Sequence, residues 1–227
     1  MDDAERGKRA AGEAAAALVE DGMTLGLGTG STARWFIAAA GALVRQGMSL
    51  CGVPTSERSA AQAREQGIPI VELGRLGVDL AVDGADSVDP DLRLVKGAGG
   101  AMLREKIVAA AARRFVVVVD AAKLHDRLRG PLPVEVVHFG WEATLASLES
   151  TGGVFDVRTG ADGAPVLSDN GNLVADGRFT VIEDAEGLAE QIEAIPGVVG
   201  HGLFLGMADL VIAGRPDGSV EQRTLAR

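Results

Sequence analysis

Val78-Asp-Leu-Ala-Val-Asp-Gly-Ala-Asp86 reads as a buried strand, Val78–Val82, that runs out onto two carboxylates, Asp83 and Asp86. After a short connection comes Lys96-Gly-Ala-Gly-Gly-Ala-Met-Leu-Arg-Glu-Lys106: a lysine, a glycine turn, and Glu105 in the opening turns of a helix. Open α/β sheets bind their ligands where strand ends face helix starts. Acids, a lysine and backbone N–H groups gathered there suit the movement of protons on a small anionic substrate.

The pattern repeats outward from this stretch. Residues 3–20 read as a helix, and Met23–Leu27 as a strand ending in Gly28-Thr-Gly-Ser-Thr32. A helix to about Val44, a strand at 49–53, a helix from about Ser56 and a strand at 68–73 follow. Beyond Asp83 the reading gives a helix from about Gly100 to Arg113 and the strand Phe115–Val119. Strands that are apolar throughout, alternating with helices, indicate a parallel sheet covered on both faces. Arg129-Gly-Pro-Leu-Pro133 breaks the pattern. A strand (133–138), a helix (140–150), a strand (153–158), a hairpin strand ending near Val174, a helix (184–194) and a strand (198–205) then give β-α-β-β-α-β, the split ferredoxin-like order. Ala208–Ala213 reads as a strand returning to the first sheet. The expected fold is α/β: a Rossmann-like parallel-sheet domain (1–130 and 207–227) carrying a ferredoxin-like α+β insertion (131–206).

A chain of 227 residues, 47% hydrophobic and 24% charged, has material for a substantial core. The net charge of −10, with no basic block, argues against a nucleic-acid partner. Cys51 is the only cysteine, so no internal disulfide can form, and its strand-like setting reads as a buried inert thiol. The charged N-terminus lacks a signal-peptide core and no apolar run reaches membrane-spanning length, so a cytoplasmic protein without membrane contact is expected.

Each candidate site has a plain structural reading beside the chemical one. Gly28–Thr32, where a strand turns into a helix, suits a phosphate, because N-terminal N–H groups and the helix dipole favour an anion. Otherwise it is a tight turn with Ser31 or Thr32 as helix cap. The loop also matches the dinucleotide pattern G-x-G-x-x-A, but the second strand ends in Val53-Pro-Thr-Ser56 without the acid that a ribose requires. Asp83 and Asp86 are either turn-capping residues or metal ligands. The three histidines, His125, His138 and His201, form no ligand-spaced pair, and no metal or organic cofactor is expected. Glu105 is a solvated helix residue or, partly desolvated in a pocket, a general base. Lys96 and Lys123 are exposed charges or stabilisers of an oxyanion.

Taken in order, Gly28-Thr-Gly-Ser-Thr-Ala33, Asp83-Gly-Ala-Asp86, Lys96-Gly-Ala-Gly-Gly-Ala101 with Arg104-Glu-Lys106, Pro131-Leu-Pro-Val-Glu135, Asp169-Asn-Gly-Asn172 and Ile195-Pro-Gly-Val-Val199 resemble the ribose-5-phosphate isomerase A family along nearly the whole chain. The resemblance implies an aldose–ketose isomerase of the non-oxidative pentose phosphate pathway. It would interconvert D-ribose 5-phosphate and D-ribulose 5-phosphate without metal or cofactor, as a homodimer or homotetramer with the insertion used for subunit contact. It further implies that Glu105 carries a proton between C2 and C1 through a cis-enediolate, Asp83 assists ring opening and Lys96 holds the oxyanion. Substrate contacts would come from Thr29, Gly30, Ser31 and Thr32, from Asp83, Gly84, Ala85 and Asp86, from Lys96, Gly97, Ala98 and Gly99, and from Lys8 and Lys123.

This chain departs from the family pattern at three places. Ser87 stands where an acid is usual, Ala98 where glycine is usual, and Ser59 where threonine is common. Ala98 puts a methyl group into a turn that glycine conformations would suit. A non-catalytic phosphosugar sensor of the same fold is the main alternative, and a sugar-phosphate lactonase or deaminase is another. Retention of Glu105 and Lys96 weighs against the sensor, and the absence of histidine from the motifs weighs against the other two.

Overall fold

A computed structural model describes residues 2–225. In chain order the first elements are α1 (Asp3–Ala16), β1 (Thr24–Leu27), α2 (Ala33–Arg45), β2 (Cys51–Pro54), α3 (Glu57–Glu65) and β3 (Leu80–Asp83). Then come β4 (Ser87–Val88), β5 (Leu94–Val95), α4 (Met102–Ala110), β6 (Phe115–Asp120), a 3-10 turn (Ala121–Lys123) and β7 (Gly130–Val136). The remainder is α5 (Trp141–Glu149), β8 (Val154–Val157), β9 (Leu173–Phe179), α6 (Ala185–Glu193), β10 (Val198–His201), β11 (Leu203–Phe204), β12 (Leu210–Gly214) and β13 (Val220–Arg223).

These elements form two compact units. Residues 2–85, 104–124 and 206–225 make the first, and residues 86–103 and 125–205 the second. The sequence reading sets the boundary near 130 and keeps 86–103 with the parallel sheet. In the structure those residues contribute β4 and β5 to the second unit.

The first unit is built on a six-stranded sheet of order β13-β12-β6-β3-β1-β2, parallel except for the antiparallel β13. Strands β3 and β12 are buried at every residue, as strands covered on both faces must be. Leu25, Leu27, Val82, Val116, Val118 and Ile212 pack with Phe36 and Ile37 of α2 and Ala11 and Ala15 of α1. Each fully buried Leu, Val, Ile or Phe side chain contributes roughly 1.5–3 kcal/mol. Strand β1 lies between β2 and β3, so the chain order reverses there. That switch point sets the loop after β1 beside the loop after β3.

The second unit holds a four-stranded antiparallel sheet of order β10-β7-β9-β8. With β7 as first strand this is the 4-1-3-2 order of a ferredoxin-like β-α-β-β-α-β unit, as the sequence predicts. Leu132, Val134 and Val136 of β7 form a core with Phe155, Ala175, Leu188 and Ile192. A small sheet, β11-β5-β4, completes the unit. Two segments quoted from the sequence meet here. Buried Glu135 accepts, through Oε1, hydrogen bonds from Ser168 Oγ (2.8 Å), Asn170 Nδ2 (3.1 Å) and Asn172 Nδ2 (2.8 Å).

Several expected elements differ. The stretch 68–73 makes only an isolated bridge from Ile70 to Gly52, because Pro69 cannot supply a ladder donor. The 198–205 strand is two strands in two sheets, divided at Gly202, whose N–H goes to Pro133 and whose C=O takes the Lys96 N–H. Strand β9 begins, rather than ends, near Val174, since the Ser168–Asn172 turn precedes it. Cys51 is half-buried, not buried, at the start of the edge strand β2, with its Sγ 3.3 Å from Thr24 Oγ1. No helix among the described residues is long and apolar enough to cross a membrane.

Candidate active site

At the switch point of the first unit, β1 and β3 end side by side. Gly28 donates its N–H to Val82 C=O (3.0 Å). The buried carboxylate of Asp83 accepts, through Oδ1, the N–H groups of Thr29 (2.9 Å) and Gly84 (2.7 Å). Each such charged bond stabilises by about 1.5–3 kcal/mol. Only glycine permits this approach: a Cβ on Gly28 would stand 2.3 Å from Asp83 Oδ1 and 2.5 Å from Asp83 Cα. Sequence alone leaves Asp83 between turn cap and chemical group; its Oδ1 is the cap.

Glu105 occupies the first turn of α4 and is 4% exposed. It lines one narrow crevice with Asp83, Gly28, Thr55, Val82 and Val108. Two carboxylates thus line one apolar-walled crevice that is too tight to admit water.

Thr29 is positioned by a cluster the sequence reading missed. Its Oγ1 lies 2.8 Å from Thr55 Oγ1, 2.7 Å from Ser56 Oγ and 3.0 Å from Ser59 Oγ. Thr55 and Ser59 in turn donate to the carbonyls of Leu27 (3.1 Å) and Gly28 (2.7 Å). The signal was visible as Thr55-Ser56 just past β2, the strand paired with β1, and Ser59 in the first turn of α3. Ser59 supplies the hydroxyl that binds Gly28, so serine serves where threonine is common. The Thr29 hydroxyl is thereby engaged inward, while Gly30 and Ser31 lie outward. Thr32 is buried at the N-cap position of α2 but makes no side-chain cap bond. Gly30 and Ser31 line a cavity of about 290 Å³ with Arg34, Arg58, Ser59 and Gln62.

Lys8 is half-buried on α1 with its Nζ 3.3 Å from Glu5 Oε1. Partial burial pushes the Glu5 carboxyl up, but hydrogen bonds from Arg34 and Lys8 outweigh it and hold the group below its ordinary range. Lys123, also half-buried, closes the 3-10 turn after β6. Gly84 and Ala85 are half-buried in the loop after β3.

The remaining candidates belong to the second unit. Lys96 is 2% exposed, with Nζ 5.4 Å from the centre of the Phe204 ring. Asp86 is half-buried and its Oδ2 accepts the Ala98 N–H (3.0 Å), so it too caps a turn. Gly97 (φ +106°) and Gly100 (φ +79°) occupy the left-handed positions of the turn, and Ala98 does not. The objection to a methyl group at position 98 therefore falls: Ala98 has an ordinary φ and faces outward. Ser87 is fully buried in β4, where its Oγ accepts the Arg129 N–H (3.2 Å). Among the described residues, no group of three or more His, Cys, Asp or Glu side chains is arranged to hold a metal ion.

Residues 51–218 match the family described as ribose 5-phosphate isomerase A (phosphoriboisomerase A). The chain belongs to the ribose 5-phosphate isomerase A family. It is 54% identical over 226 residues to the ribose-5-phosphate isomerase A of Roseiflexus sp. (strain RS-1), with 97% of each chain covered. Two solved structures are similar throughout. The ribose 5-phosphate isomerase A of Methanocaldococcus jannaschii gives a TM-score of 0.91 at 39% identity, covering 96% of this chain and 98% of that one. A D-ribose-5-phosphate isomerase in complex with phospho-erythronic acid gives 0.93 at 38% identity, covering 98% and 99%. The segments quoted from the sequence fall at the switch-point loops, the glycine turn and the Glu135 cluster.

Proposed function

We propose that this chain interconverts D-ribose 5-phosphate and D-ribulose 5-phosphate, with Glu105 as the proton-transferring base. The observation that carries the assignment is the burial of Glu105 in the same crevice as Asp83, at the switch point of the sheet. In the open-chain aldose, Glu105 removes the proton from C2. The electrons form the C1–C2 double bond of a cis-enediolate, and the former carbonyl oxygen O1 takes up the charge. The same carboxyl then delivers the proton to C1, while a proton passes from O2 to O1, leaving the ketone at C2. One carboxylate suffices because C1 and C2 lie on the same side of it.

Positioned acid–base catalysis is worth roughly 10²–10⁴-fold, so charge stabilisation must supply much of the remainder. By family resemblance that task falls to Lys96 and the backbone of Gly97–Gly99. Asp83 assists ring opening, and the Gly30–Thr32 loop at the start of α2 holds the phosphate end. Lys8 and Lys123 add positive charge. The chain works in the cytoplasm as a homodimer or homotetramer, without metal or organic cofactor, and the ferredoxin-like insertion supplies subunit contacts.

Turnover of ribose 5-phosphate deuterated at C2 tests the mechanism. A single base that exchanges partly with solvent yields ribulose 5-phosphate with deuterium at C1 in some molecules and solvent hydrogen in the rest. Any loss of deuterium to solvent excludes hydride transfer, whereas complete retention at an unchanged rate in Glu105→Gln would remove Glu105 from its role.

A further inference from the structure

The turn that follows Lys96 is gripped by a side-chain pair that none of the quoted motifs contains. Arg158 directly follows β8, and its backbone is fixed by N–H to Val174 C=O and C=O to Val166 N–H, both 2.8 Å. Its guanidinium meets Asp176 of β9 as a two-pronged pair, Nε to Oδ2 at 2.7 Å and Nη2 to Oδ1 at 2.5 Å. The other edge donates to the turn: Nη1 to Ala98 C=O at 2.9 Å, and Nη1 and Nη2 to Gly97 C=O at 3.4 and 3.3 Å. The planar guanidinium can serve a carboxylate on one side and two carbonyls on the other, which an ammonium cannot do.

The consequence follows from peptide geometry. In a trans peptide the C=O and the next N–H point in opposite directions, and the described chain has no cis bond. Peptide 97–98 is held at both ends, its C=O by Arg158 and its N–H by Asp86 Oδ2. Peptide 98–99 is held by Arg158 at its C=O alone. Its N–H, on Gly99, therefore points away from Arg158, and among the described residues nothing accepts it. Gly99 is exposed, so this donor is open to a ligand.

We infer that the Arg158–Asp176 pair is a positioning device for the isomerisation, fixing peptide 98–99 so that the Gly99 N–H is presented to a substrate oxygen. The inference rests on the isomerase reading above and adds to it the residues that orient the donor. Arg158 and Asp176 act through the turn they hold, as positioning residues. Fixing the donor beforehand matters because a dipole that must reorient during the reaction loses most of its stabilising effect.

The test compares wild type with Arg158→Ala, Arg158→Lys and Asp176→Asn, measuring kcat, KM and the pH profile with ribose 5-phosphate, and the folded fraction by thermal melting. Removing an oxyanion donor outright costs about 10²–10³-fold in kcat; loosening one should cost about 10- to 100-fold. The expected result for folded Arg158→Ala is that loss in kcat, with KM changed by less than about threefold and the limbs of the pH profile unmoved. Added guanidinium ion should restore part of the rate to Arg158→Ala, and Arg158→Lys should stay low. A kcat within about twofold of wild type in the folded variant would overturn the inference. So would a rise in KM alone, or a loss of rate that only follows the folded fraction. If Arg158→Ala does not fold, Asp176→Asn is judged by the same criteria, because it keeps the side-chain shape while weakening the pair. An inactive wild type would instead defeat the isomerase reading itself, and that result is separate from any variant's.

Discussion

Gly28→Ala tests whether the contact between the ends of β1 and β3 sets the site. Gly28 does not have a positive φ, so alanine meets no backbone strain and the effect is purely steric. The new Cβ would lie 2.5 Å from Asp83 Cα and 2.3 Å from Asp83 Oδ1. An ordinary contact begins near 3.4 Å, so the two strand ends must part by about 0.9 Å. Backbone, not the tip of a flexible side chain, has to move. Overpacking of this kind costs about 1–3 kcal/mol. The Asp83 bond to the Thr29 N–H, worth about 1.5–3 kcal/mol, would be stretched as well. We expect a loss of about 3 kcal/mol in urea unfolding. Because a displacement near 1 Å of a catalytic group costs about 100-fold, kcat/KM for ribose 5-phosphate should fall by about that factor in the folded variant. Stability within about 0.5 kcal/mol of wild type, together with kcat/KM within twofold, would show that the reasoning from this contact is wrong.

Other changes have different signatures. Ala98→Gly should alter kcat by less than about threefold and cost about 0.5–1 kcal/mol, since position 98 does not need a glycine conformation; a tenfold gain in kcat would mean the methyl group obstructs the turn. Glu135→Ala removes the common acceptor of Ser168, Asn170 and Asn172 and should lower stability by about 2–4 kcal/mol in denaturant titration, and an unchanged midpoint would show the cluster to be dispensable. Glu5 has a folded pKa below its unfolded value, so its contribution is present above the ordinary carboxylate range and lost as pH falls through the folded value. The melting temperature of Glu5→Gln should accordingly fall less steeply than that of wild type as pH drops below about 4.3; parallel curves would deny the coupling to Arg34 and Lys8.

Much of the fold was legible because its strands are apolar throughout and its glycines mark the turns. Val116–Val119 and Val211–Ala213 could hardly be anything but buried strands. The β-α-β-β-α-β order of the insertion was readable from the spacing of its elements. What escaped was short or non-local. Strands β4, β5 and β11 have two residues each, too few for any periodicity, and they drew 86–103 into the second unit. Pro69 interrupted a run that hydropathy alone counts as a strand. In the site, Asp83 and Glu105 stood out through their positions after a strand and after a glycine turn. The convergence of Thr55, Ser56 and Ser59 on Thr29 was hidden, because it depends on β2 pairing with β1. Arg158 and Asp176 were hidden for a similar reason: they meet the glycine turn only once β8 and β9 have folded.

The most direct test of the central claim is turnover of ribose 5-phosphate to ribulose 5-phosphate in metal-free buffer, wild type beside Glu105→Gln. The substitution keeps the shape of the side chain and removes its capacity to accept a proton from carbon. The account predicts robust turnover by the wild type, and in Glu105→Gln a loss of at least about 10²-fold in kcat with substrate binding retained. Comparable turnover by both proteins would contradict the assignment of Glu105, and binding without turnover by the wild type would turn the site into a phosphosugar sensor.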